Sequence, residues 1–550
     1  MTHVRIGLVA VLVGLIAPVG LAQHTKRTRP EAWENLACGG RFMDRFQPMP
    51  IRGGLTSDTW GADAVKPRDV TNGIEDREWS YWGGNIVLGD EGKYHLFVCR
   101  WREDSPKGHM AWGGSGVVRT VSDSVYGPFR VLKPIGKGHN PEIFRLRDRT
   151  YCLYCIGGFY RAATLDGPWE RTRLACDPRG RRVIAGLSNL SFARREDGSI
   201  LMVCRGGGIW ISRDGKEPFR QITDGSVYPK VEGRFEDPVL WRTNVQYHLI
   251  VNDWYGRIAY HLRSRNGVQW KVDPGEAYLP GIAVYEDGTK SDWYKFERIK
   301  VFQDERGRAT HANFAVIDCP KREDKASDAH SSKNIVIPLT VGRLLAIVDR
   351  EKITADTGRI RLHVAAEKGF DPHTDVDVAS LRFGAPEEVD FGRGCRPVGT
   401  EKDGKDLIVV FDGQSNGLTD DNFAAKLLGR DADGELLFGY ARLPWLDDVE
   451  PILSTRPLKV TGSRLVIEVE NVGQARADAA RCEMELRDAS GQTVATGSSD
   501  VPPLEPYART DVAFGLKQPL HSGGTYRCTV TLHQNGRRPR AERYDVKPSS

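Results

Sequence analysis

Leu96-Phe97-Val98-Cys99 is a short apolar run that comes back as Leu153-Tyr154-Cys155, Leu201-Met202-Val203-Cys204 and Leu249-Ile250-Val251. The leading leucines are 57, 48 and 48 residues apart, a period that marks repeated supersecondary units rather than separate domains. Each copy closes on a turn with an aromatic side chain: Gly127-Pro128-Phe129, Gly167-Pro168-Trp169, Glu217-Pro218-Phe219 and Gly267-Val268-Gln269-Trp270. A unit of this length with several short strands cannot bury both faces of its own sheet, so neighbouring sheets must stack radially as blades around a central channel. A variant fifth copy runs from Phe296 to Phe302 and, past the turn at Asp304 to Arg308, from His311 to Asp318. The pattern predicts an all-β chain whose residues 23–340 form a five-bladed β-propeller, with Asn334 to Leu339 as the late strand that pairs with the first blade.

Beyond Arg359 the pattern changes to spaced alternating runs, Ile360 to Val364, Leu407 to Phe411 and Glu435 to Phe438, separated by Asp/Gly turns. Residues 341–447 therefore read as a β-sandwich. Asp371, Asp375 and Asp377 lie in one of its turns, where solvation or a calcium ion would each suit them. In residues 448–550, Leu465 to Asn471 and Arg481 to Leu486 alternate, and Tyr526 stands two residues before Cys528. That spacing is the mark of an Ig-like sandwich with a tyrosine corner, and makes Cys482 with Cys528 the best candidate disulfide. Cys99, Cys155 and Cys204 sit in repeated strand cores as small hydrophobes. The C-x-x-C of Cys152 and Cys155 is no redox pair, because strand residues three apart face opposite ways.

At 550 residues, with 59 Gly and 30 Pro, the composition fits a turn-rich multidomain β protein. Arg5, the apolar run Ile6 to Ala17 and the small-residue site Gly20-Leu21-Ala22 have the three-part pattern of a secretory signal, predicting cleavage near Ala22 and a secreted or periplasmic protein. No later apolar run reaches membrane-spanning length. A net charge of +5 from 78 basic and 73 acidic side chains that are interspersed argues against a nucleic-acid partner. The basic cluster Arg537-Arg538-Pro539-Arg540 reads as a solvated tail or as a contact for an acidic polymer. The chain is expected to act as a monomer.

In a propeller the first residues of each innermost strand converge on the channel mouth. Here they are Gly84-Asn85, His139-Asn140-Pro141-Glu142, Ser188-Asn189, Glu236-Asp237-Pro238 and Glu297-Arg298. Glycoside hydrolysis needs a general acid and a second carboxylate across the scissile bond, and Asp237, Glu142, Glu297 and Glu236 are the candidates; inter-blade salt bridges or turn caps are the plainer roles for each. His139, Asn140, Asn189, Arg205, Arg298 and Trp254 are candidate substrate contacts, the arginines suiting hydroxyls or an anionic substituent and Trp254 with Tyr255 the face of a sugar. His139 and His311 could also hold a central ion. Residues 23–80, with Trp60, Trp79 and Trp82, are expected to cross one propeller face and shape the pocket.

The phrases His139-Asn140-Pro141-Glu142-Ile143-Phe144 and Phe235-Glu236-Asp237-Pro238-Val239-Leu240-Trp241 resemble the D-P-x-I blade openings of five-bladed glycoside hydrolases of the family 43 group and its sucrase-type relatives, and Asp166-Gly167-Pro168-Trp169 resembles their blade endings. The resemblance covers about residues 80 to 320. It implies a hydrolase of plant or algal polysaccharides or oligosaccharides that needs no cofactor, with room for a structural calcium in the channel. That family carries an Asp base in blade one and an Asp that tunes pKa, whereas Asn85 and Asn140 stand here. The resemblance therefore implies either that the roles have moved to neighbours such as Glu142 and Asp237, with Glu142 or Glu297 as acid, or that the propeller binds carbohydrate without cutting it.

Overall fold

The computed structural model describes residues 25–57, 67–447, 449–456, 458–537 and 539–547. The signal-like segment, Trp60 and Arg538 lie outside them. Among the described residues no helix is long and apolar enough to cross a membrane.

Five sheets follow one another in the chain, antiparallel throughout except where Cys176–Asp177 pairs in parallel with Phe219–Gln221 at the edge of the third. They open on Trp79–Leu88, His139–Arg145, Ser191–Arg194, Phe235–Arg242 and Lys295–Gln303, and each apolar repeat forms the second strand of its sheet. Cys99, Leu153, Leu201, Val203 and Leu249 are almost wholly buried there. Cys152 and Cys155 pack into two different hydrophobic clusters, as strand alternation requires.

The opening strands neighbour one another cyclically. Asn85 exchanges hydrogen bonds with the Ile143 backbone at 2.8 and 2.9 Å, Asn140 donates to Asn189 at 2.9 Å, and Arg298 reaches Asp237 at 2.9 Å. Ser191 Oγ receives the Leu240 amide at 3.0 Å, and Asn313 and Asn334 donate to the Gly84 and Gly83 carbonyls. The fifth sheet thus meets the first and the ring of five sheets closes.

Closure differs from the expected pairing. Ser332–Pro338 is the third strand of the fifth sheet, antiparallel to Ala309–Ile317, and its free edge takes single bridges from Ile74 and Phe46. N-terminal chain, not the first sheet, completes this edge. The start of the described N-terminal segment follows the fourth sheet: Arg27 pairs with Asp253, Trp33 packs on Tyr260, and Phe42 joins the core beside Trp241 and His261.

Residues 343–442 make seven strands in one continuous order; Arg343–Ile347 joins two halves, pairing parallel with Leu436–Arg442 and antiparallel with Arg359–Val364, and the sheet curls so that both halves enclose Leu362, Phe383, Val409 and Leu427. Asp371 and Asp375 cap backbone amides of their own turn. Residues 453–546 form two four-stranded sheets that enclose Ile467, Cys482, Phe514 and Cys528. Tyr526 Oη accepts the His521 amide at 3.1 Å, five residues upstream. Cys482 and Cys528 are not bridged. They lie on neighbouring strands of one sheet, Cys482 opposite Leu532 and Cys528 opposite Leu486, a four-residue offset that no disulfide spans. The basic cluster is docked: Arg537 pairs with Glu450 and Arg540 with Glu542.

Candidate active site

The five strand starts share one backbone device. Gly83, Asn140, Asn189, Asp237 and Arg298 all have φ between +48° and +65°. In four of the five sheets the ladder register shifts across that residue, at Trp82/Asn85, His139/Glu142, Glu236/Val239 and Glu297/Lys300. A bulge with a left-handed residue re-aims the side chains around it. Asn and Asp tolerate this conformation better than other residues with a Cβ. At Gly83 a Cβ would stand 3.3 Å from the Asn140 amide oxygen, close enough that the Asn140 side chain would have to shift by a few tenths of an ångström.

Aligned on that residue, the starts stack three tiers. The outer tier is Trp82, His139, Ser188, Glu236 and Glu297, the middle tier the five left-handed residues, and the inner tier Asn85, Glu142, Ser191, Val239 and Lys300. Apart from the half-buried Asn85, the two lower tiers are buried, and most of their polar groups pair between sheets. Asp237 forms an ion pair with Arg298, which also donates to the Asn140 carbonyl at 3.5 Å. Glu142 accepts Ser191 Oγ and the Phe192 amide, each at 2.8 Å, and pairs with Lys300. Burial pulls the Lys300 ammonium down to about 8 although Glu142 opposes it.

The outer tier is built differently. The Glu236 side chain keeps 18% of its surface exposed, with Arg205 Nε at 3.2 Å. An ion pair alone would depress its pKa, yet burial first, then the charges of Asp237 and Glu297, push it up to about 8. Burial and two anions outweigh one guanidinium that is itself 40% exposed. Glu297 goes the other way: Lys321 and Lys295 overcome burial and hold it down to about 2. Two acidic side chains in one tier are thus driven to opposite protonation states.

His139 is no acid at neutral pH, because burial, with Arg298 and Lys321 nearby, brings it down to about 3; Nδ1 faces Ser115 Oγ at 3.1 Å. His311 lies opposite Phe302, near the far end of the fifth opening strand. Trp254 is half-buried with Lys295 Nζ 5.0 Å from its ring centroid. Tyr255 is exposed beneath Lys26 and Arg27.

Three contributors escaped the sequence reading. Lys321 lies over Trp82 at 4.5 Å while pairing with Glu297. Lys295 clamps the same carboxylate at 3.1 Å. Trp112, 38% exposed, stands 4.9 Å from the His139 ring. Lys321 and Trp112 come from irregular segments with no repeat position to flag them, and only the Lys295-Phe296-Glu297 alternation held a local cue. An apolar cavity of about 270 Å³ lined by Phe42, Arg45, Trp241, Leu344, Phe438 and Tyr440 lies at the opposite ends of the strands, away from this chemistry.

No family model and no curated protein matches the sequence. Among solved structures, similar ones include a thermostable family-43 glycoside hydrolase, at 11% identity over 49% of this chain and 95% of the other, TM-score 0.30. Another is an α-L-arabinofuranosidase from Lactobacillus brevis, at 10% identity over 48% and 93%, TM-score 0.32. A third is a GH43 protein from Bacillus licheniformis, at 9% identity over 87% and 91%, TM-score 0.32. Overlaps this loose fix neither activity nor substrate, and the side chains of the outer tier must decide.

Proposed function

We propose that the five-sheet ring is a five-bladed propeller, and that its outer tier is the active site of an exported glycoside hydrolase, with a curled accessory sheet and an Ig-like sandwich behind it. The observation that carries this reading is the placement of Glu236 and Glu297 in one tier with opposite surroundings: a partly exposed Glu236 beside Asp237 and a single arginine, and a Glu297 clamped by Lys295 and Lys321, so that burial and like charges raise the first and the two lysines lower the second. Glycosidic cleavage asks for such a pair: a neutral carboxyl to protonate the leaving oxygen, and a carboxylate to steady the oxocarbenium-like centre or direct water. Glu236 is the proton donor and Glu297 the ionised partner. Asp237, the base or charge-stabiliser candidate, serves here by holding its negative charge beside Glu236. Glu142 is a strut between sheets.

Arg205, Lys295 and Lys321 make the rim cationic, which suits a glycan carrying carboxylate or sulfate groups, and Trp112 and Trp254 offer faces for sugar rings. One observation favours binding without cleavage: Glu297 is only 2% exposed and clamped by two lysines. The test is sugar release from aryl furanosides, aryl pyranosides, uronate-bearing and neutral polysaccharides, by wild type beside Glu236→Gln and Glu297→Gln. Release that fails in both variants supports the hydrolase; no release by wild type, with retention on the same glycans immobilised, turns the reading to a carbohydrate-binding propeller.

A further inference from the structure

Between the edge of the first sheet and the loop from Asp318 to Ser332 lies a group of acidic and soft donors outside the carbohydrate site. Asp318, Cys319 and His330 each place one donor atom within 4.8 Å of the others. His330 Nδ1 already meets Asp318 Oδ2 at 2.8 Å, and the Ser331 amide holds the other oxygen at 3.3 Å. Asp324 is 1% exposed, and neither of its carboxylate oxygens has a hydrogen-bond partner among the described residues. Glu103, 6% exposed, has one bonded oxygen, to Ser80 and Ser331, and one unpartnered.

The negative charge here lacks a counter-charge. The loop's own cations turn elsewhere: Lys321 to Glu297, and Lys325 Nζ to the Arg322 carbonyl. Leaving a buried carboxylate without a partner costs several kcal/mol or forces it neutral. A divalent cation held by Asp318, Cys319 and His330 would bring the missing positive charge to this loop.

We propose that Asp318, Cys319 and His330 form a zinc site that pins this loop to the first sheet. One sulfur, one imidazole and one carboxylate make a mixed donor set that suits zinc, with the fourth position left to water; calcium and magnesium prefer all-oxygen shells. Binding displaces the proton of the Cys319 thiol to solvent as the metal–sulfur bond forms. The pinned loop delivers Lys321 to Glu297, a consequence that rests on the carbohydrate-site reading, whereas the metal measurement does not.

The full chain, loaded with Zn²⁺ and dialysed against metal-free buffer, is expected to retain roughly one equivalent of zinc by elemental analysis. Cys319→Ser and His330→Asn should each weaken retention by more than the ~10-fold typical of losing an outer partner, while His311→Asn keeps it. Titration of the wild-type chain with Co²⁺ should give visible bands of a tetrahedral site with a thiolate charge-transfer band that Cys319→Ser lacks. No retained zinc in the wild-type chain, calcium retained in its place, or zinc retained equally by Cys319→Ser each overturns the site.

Discussion

Glu236 and Glu142 sit three positions apart on the aligned strand starts, one in the outer tier and one in the inner, and their surroundings give them opposite work. Glu236 is neutral near pH 7 because burial, Asp237 and Glu297 outweigh Arg205. A proton donor is lost when it ionises, so kcat/KM is expected to hold through neutrality and fall above about pH 8. Arg205→Ala removes a charge that favours ionisation, and the alkaline limb should move upward; a limb that stays put would mean another group sets it. Glu236→Gln should cost ~10²–10⁴-fold on glycosides with poor leaving groups and much less on activated aryl glycosides. Stability follows the same proton. With a folded pKa near 8 against an ordinary 4.5, the native state holds the proton more tightly, so this group subtracts stability as pH rises from about 4.5 to about 8. Glu142 belongs to the scaffold instead: Glu142→Gln leaves the Lys300 ammonium buried and unpaired, and should lower stability by about 3–5 kcal/mol, read as a fall in Tm, with Glu142→Gln/Lys300→Met recovering much of it.

At the scale of the element, the recurrent unit is a strand that begins on a left-handed residue and then turns apolar. Much of this was legible. The spacing of the apolar runs located the second strands, and the starts at Asn140, Asn189 and Asp237 could be aligned because Asn and Asp are the side chains that accept φ > 0. Glu297-Arg298 was placed as the fifth start as well, but the left-handed conformation of Arg298 was not legible, since arginine has no such preference; its guanidinium is held by Asp237, 61 residues away and invisible to local pattern. Tyr526 Oη accepts an upstream amide, but the Tyr526 and Cys528 spacing said nothing of register, and the four-residue offset separates Cys528 from Cys482. The bulge makes its own prediction. Asn189 has φ +48° and bonds Asn140, so Asn189→Gly should cost about 1 kcal/mol for the lost hydrogen bond. Asn189→Val adds roughly 1–2 kcal/mol of left-handed strain, and urea midpoints of the two variants would show the order; Val as stable as Gly would mean that the bulge is not held in this conformation.

Over the whole molecule, the C-terminal sandwich is part of the ring's packing and not a tethered spacer. Ile452 and Val472 enter the hydrophobic cluster built on the third and fourth sheets. Around them the third sheet sends out arginines: Arg179 and Arg220 reach Glu470 at 3.4 and 2.8 Å, Arg181 reaches Glu542 at 3.0 Å, and Arg195 donates to the Val472 carbonyl at 2.9 Å. Arg179 and Glu470 are 1% and 2% exposed, and burial pulls the Arg179 guanidinium down to about 10. Charges so deeply buried are weak evidence for net stabilisation but costly to break one at a time. Glu470→Ala should therefore lower stability by about 3–5 kcal/mol, and it should do so without separating ring from sandwich into two transitions, because the apolar contact at Ile452 and Val472 remains. A calorimetric scan decides this: a single transition shifted downward fits a shared core, whereas a ring transition unmoved beside an early sandwich transition would show that the two units fold independently and that the arginines are only a surface contact.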